Sequence, residues 1–280
     1  MANSRKIQNR FIPLVLLSIL LTGCAGRQIA RVSDGKPVEF AQMVAELKGA
    51  RVVFIGETHD VAAHHDIQLD VIKALHAAGA PVAIGLEMFF GPSQRDLDQW
   101  VAGRLDAGSF KWIYRDNWKE KWCLYSDIFF YARDNHIPLI GLNIPKEIMH
   151  KVYTAGFAAL SDNERKGLPS EVSCDSSDPY TGMIQKAYVG HKADTRPFGY
   201  FCEAQTLWNK GMALNVANYL KEHPDTTMVV LAGGGHAMKE AIPRQMKNYG
   251  NYPYRVILPD IFGLFSAGVT VLDADYFVDE

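Results

Sequence analysis

The sequence predicts an α/β fold in which a mainly parallel sheet is flanked by helices, and two observations carry this prediction. Past residue 36, short apolar runs of strand length alternate with longer amphipathic stretches, a pattern typical of parallel strands joined by helices. Apolar residues are also spread evenly along the 280 residues, with no repeat and no low-complexity linker. We therefore expect a single domain over residues 37–280.

The N-terminus predicts a lipoprotein signal peptide over residues 1–23. Three basic side chains precede an apolar run over residues 11–21, which is shorter than the roughly 20 apolar residues that a membrane-spanning helix needs. The run ends in Leu21-Thr22-Gly23-Cys24, which resembles the bacterial lipobox, whose thiol is joined to diacylglycerol. We expect a lipid-modified Cys24 and a short lipidated tether over residues 24–36. The alternative is an uncleaved anchor with an incidental cysteine.

The residues after the signal peptide indicate where the protein is located and which partners it binds. Because Ala25 rather than an aspartate follows the cysteine, resemblance to Gram-negative sorting implies an outer-membrane lipoprotein. Removing the three basic side chains of residues 1–23 changes the formal charge from −2 to −5, which does not favour nucleic acid as a partner. One pair among Cys123, Cys174 and Cys202 could form a disulfide in an oxidising compartment, and no zinc-type spacing is present.

Five apolar runs predict buried parallel strands, and the stretches between them predict helices. The strands are expected at residues 51–56, 82–87, 137–142, 227–232 and 254–258. The helices are expected at residues 61–78, 92–102, 124–135, 145–155, 201–221 and 237–247. Over residues 161–200, proline, serine, aspartate and glycine interrupt the periodic spacing of apolar residues. This predicts an irregular excursion from the core, with some helix near residues 180–189.

Polar side chains follow four of the predicted strands at the point where each strand ends. They are Glu57 and His59 after the first strand, Glu87 at the end of the second, Asn143 after the third and His236 after the fourth. Since the carboxyl ends of parallel strands meet at one edge of a sheet, we expect these side chains to form one site. Most of them could instead cap a helix or occupy a turn, but Glu87 ends a nearly all-apolar run, and a buried carboxylate needs a partner.

Two chemistries fit these side chains, and the sequence leaves both open. With a divalent metal ion, the ligands would be Glu57, His59, Glu87 and His236, and a bound water could attack a carbonyl group. Without a metal, the same four residues would be catalytic, and a histidine held in one tautomer by a glutamate would act as general base. Either chemistry predicts a hydrolase that acts on an ester or a peptide bond.

Two of the predicted helices contribute candidate pocket residues. His64, His65 and Gln68 lie on the helix after the first strand, where Gln68 neighbours both histidines at a spacing of three or four residues. They would form either a solvated helix face or a part of the site. Gln205 and Trp208 lie on a later helix and would form either a pocket wall or a part of the core.

Five stretches of the sequence stand out as motifs: Gly56-Glu57-Thr58-His59, Gly85-Leu86-Glu87-Met88-Phe89, Leu142-Asn143-Ile144-Pro145, the stretch from Gln205 to Ala213, and Gly233-Gly234-Gly235-His236. Together they resemble the ChaN family, which belongs to the Tiki, TraB and erythromycin-esterase superfamily. The family consists of iron-regulated, haem-binding bacterial lipoproteins, and related superfamily members are metal-dependent peptidases or metal-independent esterases. The resemblance implies haem as the ligand, a homodimer with haem at its interface, tyrosine as the iron ligand and a part in iron uptake.

Tyrosines in or beside the irregular segment are the haem ligands that this resemblance implies. A phenolate is a hard anionic ligand suited to ferric iron, which makes it a sensible choice for a carrier that releases its cargo outside the cytoplasm. Tyr188 and Tyr200 are the candidates, and the alternative is that both are ordinary amphipathic surface aromatics. The favoured function is a membrane-anchored haem-binding lipoprotein, with the hydrolase as the alternative.

Overall fold

A computed structural model, which describes residues 27–190, 196–261 and 268–279, confirms the predicted fold class. The described residues form an eight-stranded sheet with helices on both faces. The expected signal peptide, Cys24 and the first residues of the tether lie outside the described residues. Within these ranges, no helix combines the length and the apolar character needed to cross a membrane.

The sheet is mainly parallel, and the five predicted strands form its centre. Along the chain the strands are β1 (Gln28–Arg31), β2 (Lys36–Pro37), β3 (Val52–Glu57), β4 (Val82–Phe90), β5 (Leu139–Asn143), β6 (Thr227–Gly233), β7 (Tyr254–Pro259) and β8 (Tyr276–Asp279). Their order across the sheet is β2-β1-β8-β7-β3-β6-β4-β5. The pairings from β8 to β5 are parallel, whereas β1 pairs antiparallel with β8 and with β2. Consequently β6 lies between β3 and β4, although it follows both in the chain.

Helices cover the sheet, and five of the six predicted helices are confirmed with small changes in their ends. The helices are α1 (Phe40–Leu47), α2 (Ala62–Ala77), α3 (Gln94–Val101), α4 (Ala107–Asn117), α5 (Trp122–Asp134), α6 (Lys146–Ala155), α7 (Pro179–Gly190), α8 (Phe198–Glu222), α9 (Gly234–Ala237) and α10 (Ile242–Met246). The sixth predicted helix, residues 237–247, is divided into α9 and α10, because Pro243 in the first turn of α10 favours a new helix start. The helices α1 and α4 were not predicted from the sequence.

Part of the segment expected as a tether, residues 24–36, belongs to the sheet, because β1 and β2 extend the sheet from residue 28. Ile29 of β1 is 5% exposed and pairs with Val278 of β8. Arg27 donates a hydrogen bond to Asp70 of α2 at 2.5 Å. Strands this short carry little apolar pattern, and their burial depends on a strand from the other end of the chain. The sequence therefore gives no local sign of them.

The sheet separates two apolar layers. On one face, side chains such as Val53 and Ile84 pack with α1 to α5. On the other face, side chains such as Phe54 and Val230 pack mainly with α8 and α10. The strands β3, β4 and β6 are buried almost throughout, which explains why the sequence shows them as continuous apolar runs instead of alternating ones.

The irregular excursion is tied to the rest of the domain by two links. Cys174 forms a disulfide with Cys202 of α8, and Cys123 is free and exposed. Arg244 of α10 forms a two-pronged ion pair with Asp178, with Nη1 2.6 Å from one carboxylate oxygen. Of the three cysteines, Cys174 and Cys202 are therefore the bridged pair.

Candidate functional site

Glu87, His59 and His236 meet at the C-terminal edge of the sheet, as the strand-end argument predicts. Gly233 ends β6 beside β4, and its backbone N–H donates to Glu87 Oε2 at 2.6 Å. His236 lies in α9, with Nε2 3.7 Å from Glu87 Oε1. A Cβ at Gly233 would come within 3.0 Å of the His59 ring and 3.7 Å of Glu87. His59 and Glu87 therefore occupy the space that a side chain at Gly233 would need, and His236 lies near the other oxygen of Glu87.

The direction of the Glu87 side chain depends on an irregularity in β4. The pairing of β4 with β5 is regular as far as Leu86 and resumes at Phe90 with a register shift. Such shifts change the direction in which the intervening side chains point. The backbone carbonyl of Glu87 accepts a hydrogen bond from Asn143 Nδ2 at 2.7 Å. Asn143 also accepts a hydrogen bond from the indole N–H of Trp208. Asn143 was expected to line the pocket. It is only 1% exposed, and its hydrogen bond holds the backbone of Glu87 in place.

Glu57 is buried beneath the crevice, and its oxygens are occupied by neighbouring donors. Oε1 accepts hydrogen bonds from His59 Nδ1 at 2.8 Å and from the Tyr125 hydroxyl. Oε2 accepts a hydrogen bond from Gln68 Nε2 at 2.7 Å and lies 3.4 Å from His65 Nδ1. Glu57 is therefore a fixed anchor that orients His59 towards the crevice.

The three polar residues of α2 belong to this site and are not a solvated helix face. His64, His65 and Gln68 are all at most 3% exposed. His65 Nε2 lies 3.1 Å from the His59 carbonyl oxygen, and His64 Nδ1 accepts a hydrogen bond from the Thr58 backbone N–H at 2.8 Å. Burial lowers the pKa of His64, which suits an imidazole that accepts at Nδ1. Together these side chains hold the loop after β3.

Tyr125 is a site residue that the sequence did not reveal. It lies on α5 among the aromatic side chains of the core, so nothing in the sequence indicates that its hydroxyl meets a carboxylate. Burial and the charge of Glu57 raise the pKa of Tyr125. The hydroxyl therefore keeps its proton and donates to Glu57.

Glu57 and His59 form an ion pair at neutral pH. Burial alone would raise the pKa of Glu57, but hydrogen bonds from His59 and His65 outweigh burial and hold the pKa below its usual range. Burial alone would lower the pKa of His59, but the hydrogen bond to Glu57 and the charge of Glu87 raise it to about 9. The His59 side chain is 37% exposed, so a protonated imidazolium faces the crevice.

His236 has the opposite ionisation. Its Nδ1 lies 2.7 Å from Asn209 Oδ1, and because an amide oxygen only accepts, we assign the proton to Nδ1 and the lone pair to Nε2. The 3.7 Å separation from Glu87 is too long for a hydrogen bond. Burial therefore prevails over the charge of Glu87 and lowers the pKa of His236. The site places a neutral proton acceptor close to a proton donor, His59.

The geometry does not support the metal-ligand alternative for these four residues. In the part of the chain that the structure describes, no group of three or more histidine, cysteine, aspartate or glutamate side chains is arranged to hold a metal ion. Both oxygens of Glu57 already accept hydrogen bonds, and Glu87 Oε2 accepts one from Gly233. The cluster is arranged as paired acids and bases rather than as a ligand shell.

An apolar groove of about 350 Å³ lies between α6 and α8. Its apolar lining consists of Phe90, Met149, Phe201 and Ala204, and its other lining side chains are Lys146, His150, Tyr153, Gln205 and Trp208. Gln205 and Trp208 therefore form a pocket wall. The Trp208 ring also lies edge-on to His236, with ring centres 5.4 Å apart, so this one side chain separates the groove from the sheet-edge cluster.

The two tyrosines expected as haem ligands are not in the lining of this groove. The Tyr188 hydroxyl donates to the Arg196 carbonyl, and its ring packs on Phe198, with centres 5.4 Å apart. The Tyr200 ring lies against Gly156, where a Cβ would come within 2.8 Å of it. The sequence places both tyrosines in or beside the excursion, but the neighbours that Tyr188 of α7 and Tyr200 of α8 contact depend on tertiary packing.

Comparison with known proteins agrees with the fold and the motifs. Residues 43–246 match the sequence profile of a family described as haem-binding uptake, Tiki superfamily, ChaN. The chain is similar to ChaN of Campylobacter jejuni, a structure with cofacially bound haem, with a TM-score of 0.73 and 18% identity over 90% of this chain and 96% of that one. An erythromycin esterase has a TM-score of 0.52 and 13% identity over 83% of this chain and 76% of the esterase.

A curated relative extends the similarity beyond bacteria. Protein RETICULATA-RELATED 5, chloroplastic, of Arabidopsis thaliana is 29% identical over 204 residues, or 68% of this chain, and the match spans only 28% of the relative's length. The family match covers well over half of the chain and includes the strand-end residues from Glu57 to His236. On this evidence the chain belongs to the ChaN family of haem-binding uptake proteins in the Tiki superfamily.

Proposed function

We propose that this protein binds haem in the groove between α6 and α8 and carries it as a step in iron uptake at the bacterial cell envelope. The observation that carries the proposal is the groove, which combines apolar walls, a cation and two side chains able to ligate iron. Haem is a flat, largely apolar ring with two carboxylate chains, so it needs these features together. The family match supports haem as the ligand.

The charged side chains beside the groove fit the two propionates of haem. Lys146 Nζ lies 5.4 Å from the centre of the Phe90 ring, and the guanidinium carbon of Arg196 lies 3.6 Å from the centre of the Tyr153 ring. Both rings line the groove. Each cation is therefore held at the margin of the apolar lining, where it can pair with a carboxylate of the bound ring.

The size of the groove supports binding through one face of the ring. At about 350 Å³ it is near the lower end of the range of roughly 300–1,000 Å³ for small-molecule sites. A groove of this volume leaves the other face of a haem uncovered. We propose that a second copy of the chain covers it, which is supported by the cofacial haem of the Campylobacter jejuni structure.

Lys146→Glu is expected to weaken haemin binding about tenfold, equivalent to about 1.4 kcal/mol. The substitution replaces attraction to a propionate by repulsion at an exposed position. Titration of the purified protein followed at the Soret band measures the affinity. The matched control is Lys48→Glu, which makes the same charge change at the exposed C-terminal end of α1. Equal affinities of the two variants would contradict the groove as the haem site.

The envelope location is the second part of the proposal. It is supported by the order of basic, apolar and small residues before Cys24 and by the bond between Cys174 and Cys202. Disulfides persist in oxidising compartments and are rare in the cytosol. The expected anchor is the lipid on Cys24, and a carrier held at the membrane surface there could pass haem between partners without being lost.

A second candidate function, hydrolysis of an ester or a peptide bond, is favoured by the opposite ionisation of His59 and His236. Neutral His236 would take a proton from an attacking water, and protonated His59 would give one to the leaving group. Wild-type protein should then hydrolyse members of a panel of p-nitrophenyl esters and peptide p-nitroanilides. His236→Gln should lower kcat/KM by roughly 10²–10⁴-fold, whereas His223→Gln, at an exposed histidine after α8, should not. No turnover by the wild type would eliminate this candidate.

A further inference from the structure

The outward side of α4 carries an exposed tryptophan. The side chains of α4 that pack into the core include Phe110 and Tyr114, which are four residues apart and therefore share one face of the helix. Trp112 lies two residues from each of them, and at 3.6 residues per turn this places it on the opposite side of the helix. Trp112 is 72% exposed, so α4 presents a large aromatic ring to the outside of the domain.

Basic side chains surround this tryptophan. The guanidinium carbon of Arg115 lies 5.9 Å from the centre of the Trp112 ring, and Lys119 Nζ donates to the Arg115 carbonyl oxygen at 3.4 Å. Residues 107–121 contain four basic and two acidic side chains, so this segment is positive in a chain whose charge after residue 23 is −5. The α4 face is defined as Lys111, Trp112, Arg115 and Lys119.

The α4 face adjoins the groove between α6 and α8. Lys146 Nζ donates to the carbonyl oxygen of Asp116 at 2.5 Å and lies 5.4 Å from the centre of the Phe90 ring, which belongs to the groove lining. The ammonium group of Lys146 therefore lies between the C-terminal end of α4 and the margin of the groove. A partner that covers the α4 face would lie beside that margin.

The expected anchor would hold the helical layer that contains α4 near the membrane. Cys24 and Arg27 are three residues apart, a span of at most about 11 Å. Arg27 binds Asp70 of α2, and α2 and α4 pack on the same face of the sheet. The strands β1, which follows Arg27, and β4, against which α4 packs, are five strand spacings apart, or about 24 Å. A lipid on Cys24 therefore brings this layer within reach of the bilayer surface.

We propose that the α4 face lies on the anionic surface of the membrane to which the chain is anchored, an inference that rests on the proposed anchoring and not on haem binding. Tryptophan is enriched at the headgroup level of membranes, because its ring is apolar and its N–H is polar. Lysine and arginine beside it attract anionic headgroups. An exposed ring among cations favours a lipid surface over an acidic protein, because headgroups place anions directly above an apolar layer.

The test uses the full chain, extracted from bacterial membranes and reconstituted in vesicles of phosphatidylethanolamine and phosphatidylglycerol with brominated acyl chains. Part of the wild-type tryptophan fluorescence should be quenched by bromine, and this part should be missing from Trp112→Phe. The double variant Arg115→Glu with Lys119→Glu should lose most of it. The matched control, Lys221→Glu with Lys247→Glu, makes the same charge change at exposed lysines of the opposite helical layer and should keep it.

Salt and sedimentation complete the test. Raising the salt from about 0.1 M to about 1 M shortens the Debye length from about 10 Å to about 3 Å and should reduce the quenching of Trp112. Equal quenching of the wild type and Trp112→Phe, in vesicles with which both sediment, would overturn the inference while the anchoring survives, and would leave the α4 face to a protein partner.

Equal quenching of the two double variants would also overturn the inference, because the cations would then not hold the α4 face on the lipid. Failure of the folded wild type to sediment with the vesicles would overturn the proposed anchoring together with the inference. Far-ultraviolet circular dichroism confirms that each variant is folded.

Discussion

Glu57→Ala is expected to lower the free energy of unfolding by about 3–5 kcal/mol, the range for removing one partner from a buried ion pair. The substitution leaves the Tyr125 hydroxyl, the Gln68 amide and His59 Nδ1 without their acceptor. Urea unfolding at neutral pH measures the change. The control is Glu39→Ala, at an exposed glutamate whose side chain makes no capping bond to α1, for which we expect a change within about 0.5 kcal/mol. Equal effects of the two substitutions would contradict the anchoring role of Glu57.

The same ion pair determines how stability changes with pH. The folded pKa of Glu57 is lowered, so its contribution is complete above the unfolded value of about 4.3 and is lost as the pH falls through the folded pKa. The folded pKa of His59 is raised to about 9, so its contribution is complete below about 6.5 and is lost as the pH rises through 9. The pair should therefore stabilise most between about pH 4.3 and 6.5. In Glu57→Ala, the free energy of unfolding should no longer show the decreases at acidic and at alkaline pH that come from this pair.

Removal of the disulfide between Cys174 and Cys202 is expected to lower the free energy of unfolding by about 3–4 kcal/mol. The two cysteines are 28 residues apart, and opening the loop between them increases the chain entropy of the unfolded state. Thermal and urea unfolding of Cys174→Ala, or of the wild type in reductant, measures the loss. Cys123→Ala, at the free and exposed cysteine, should have little effect, and a loss as large as that of Cys174→Ala would contradict the entropic explanation.

The disulfide also tests the proposed envelope location inside cells. Trapping of thiols with a maleimide should find Cys174 and Cys202 protected and Cys123 reactive, whereas a cytosolic protein would have all three labelled. Cys24→Ala, expressed in the same cells, should lose labelled palmitate. Unchanged palmitate in that variant, or full labelling of the cysteine pair in the wild type, would overturn the proposed anchoring or the proposed compartment respectively.

The central strands and the strand-end site could be predicted because both follow from local pattern. A strand buried on both faces needs a continuous apolar run, and β3, β4 and β6 each show one. Glu57, Glu87 and His236 then share an edge because parallel strands point the same way. The sequence could not show that β6 lies between β3 and β4, since strand order depends on how the helices pack.

The rest of the site was decided by contacts between elements that are distant in the chain. Tyr125 looks like an ordinary helix residue in the sequence, yet it donates to Glu57. Asn209 lies within one of the family motifs, but the sequence does not show that its amide oxygen fixes the tautomer of His236. The spacing of residues along the sequence does not reveal such hydrogen-bonded pairs, because each pair depends on how a helix packs against the sheet.

By itself, the sequence determined the α/β class, the family and the convergence of two glutamates and two histidines, because these depend on apolar periodicity and strand direction. Only the tertiary structure decided which faces of α6 and α8 enclose the groove, and hence that His150 lies in its lining while Tyr188 and Tyr200 do not. A helix sequence specifies which residues share a face, but the neighbour that covers that face is selected by the packing of the whole chain.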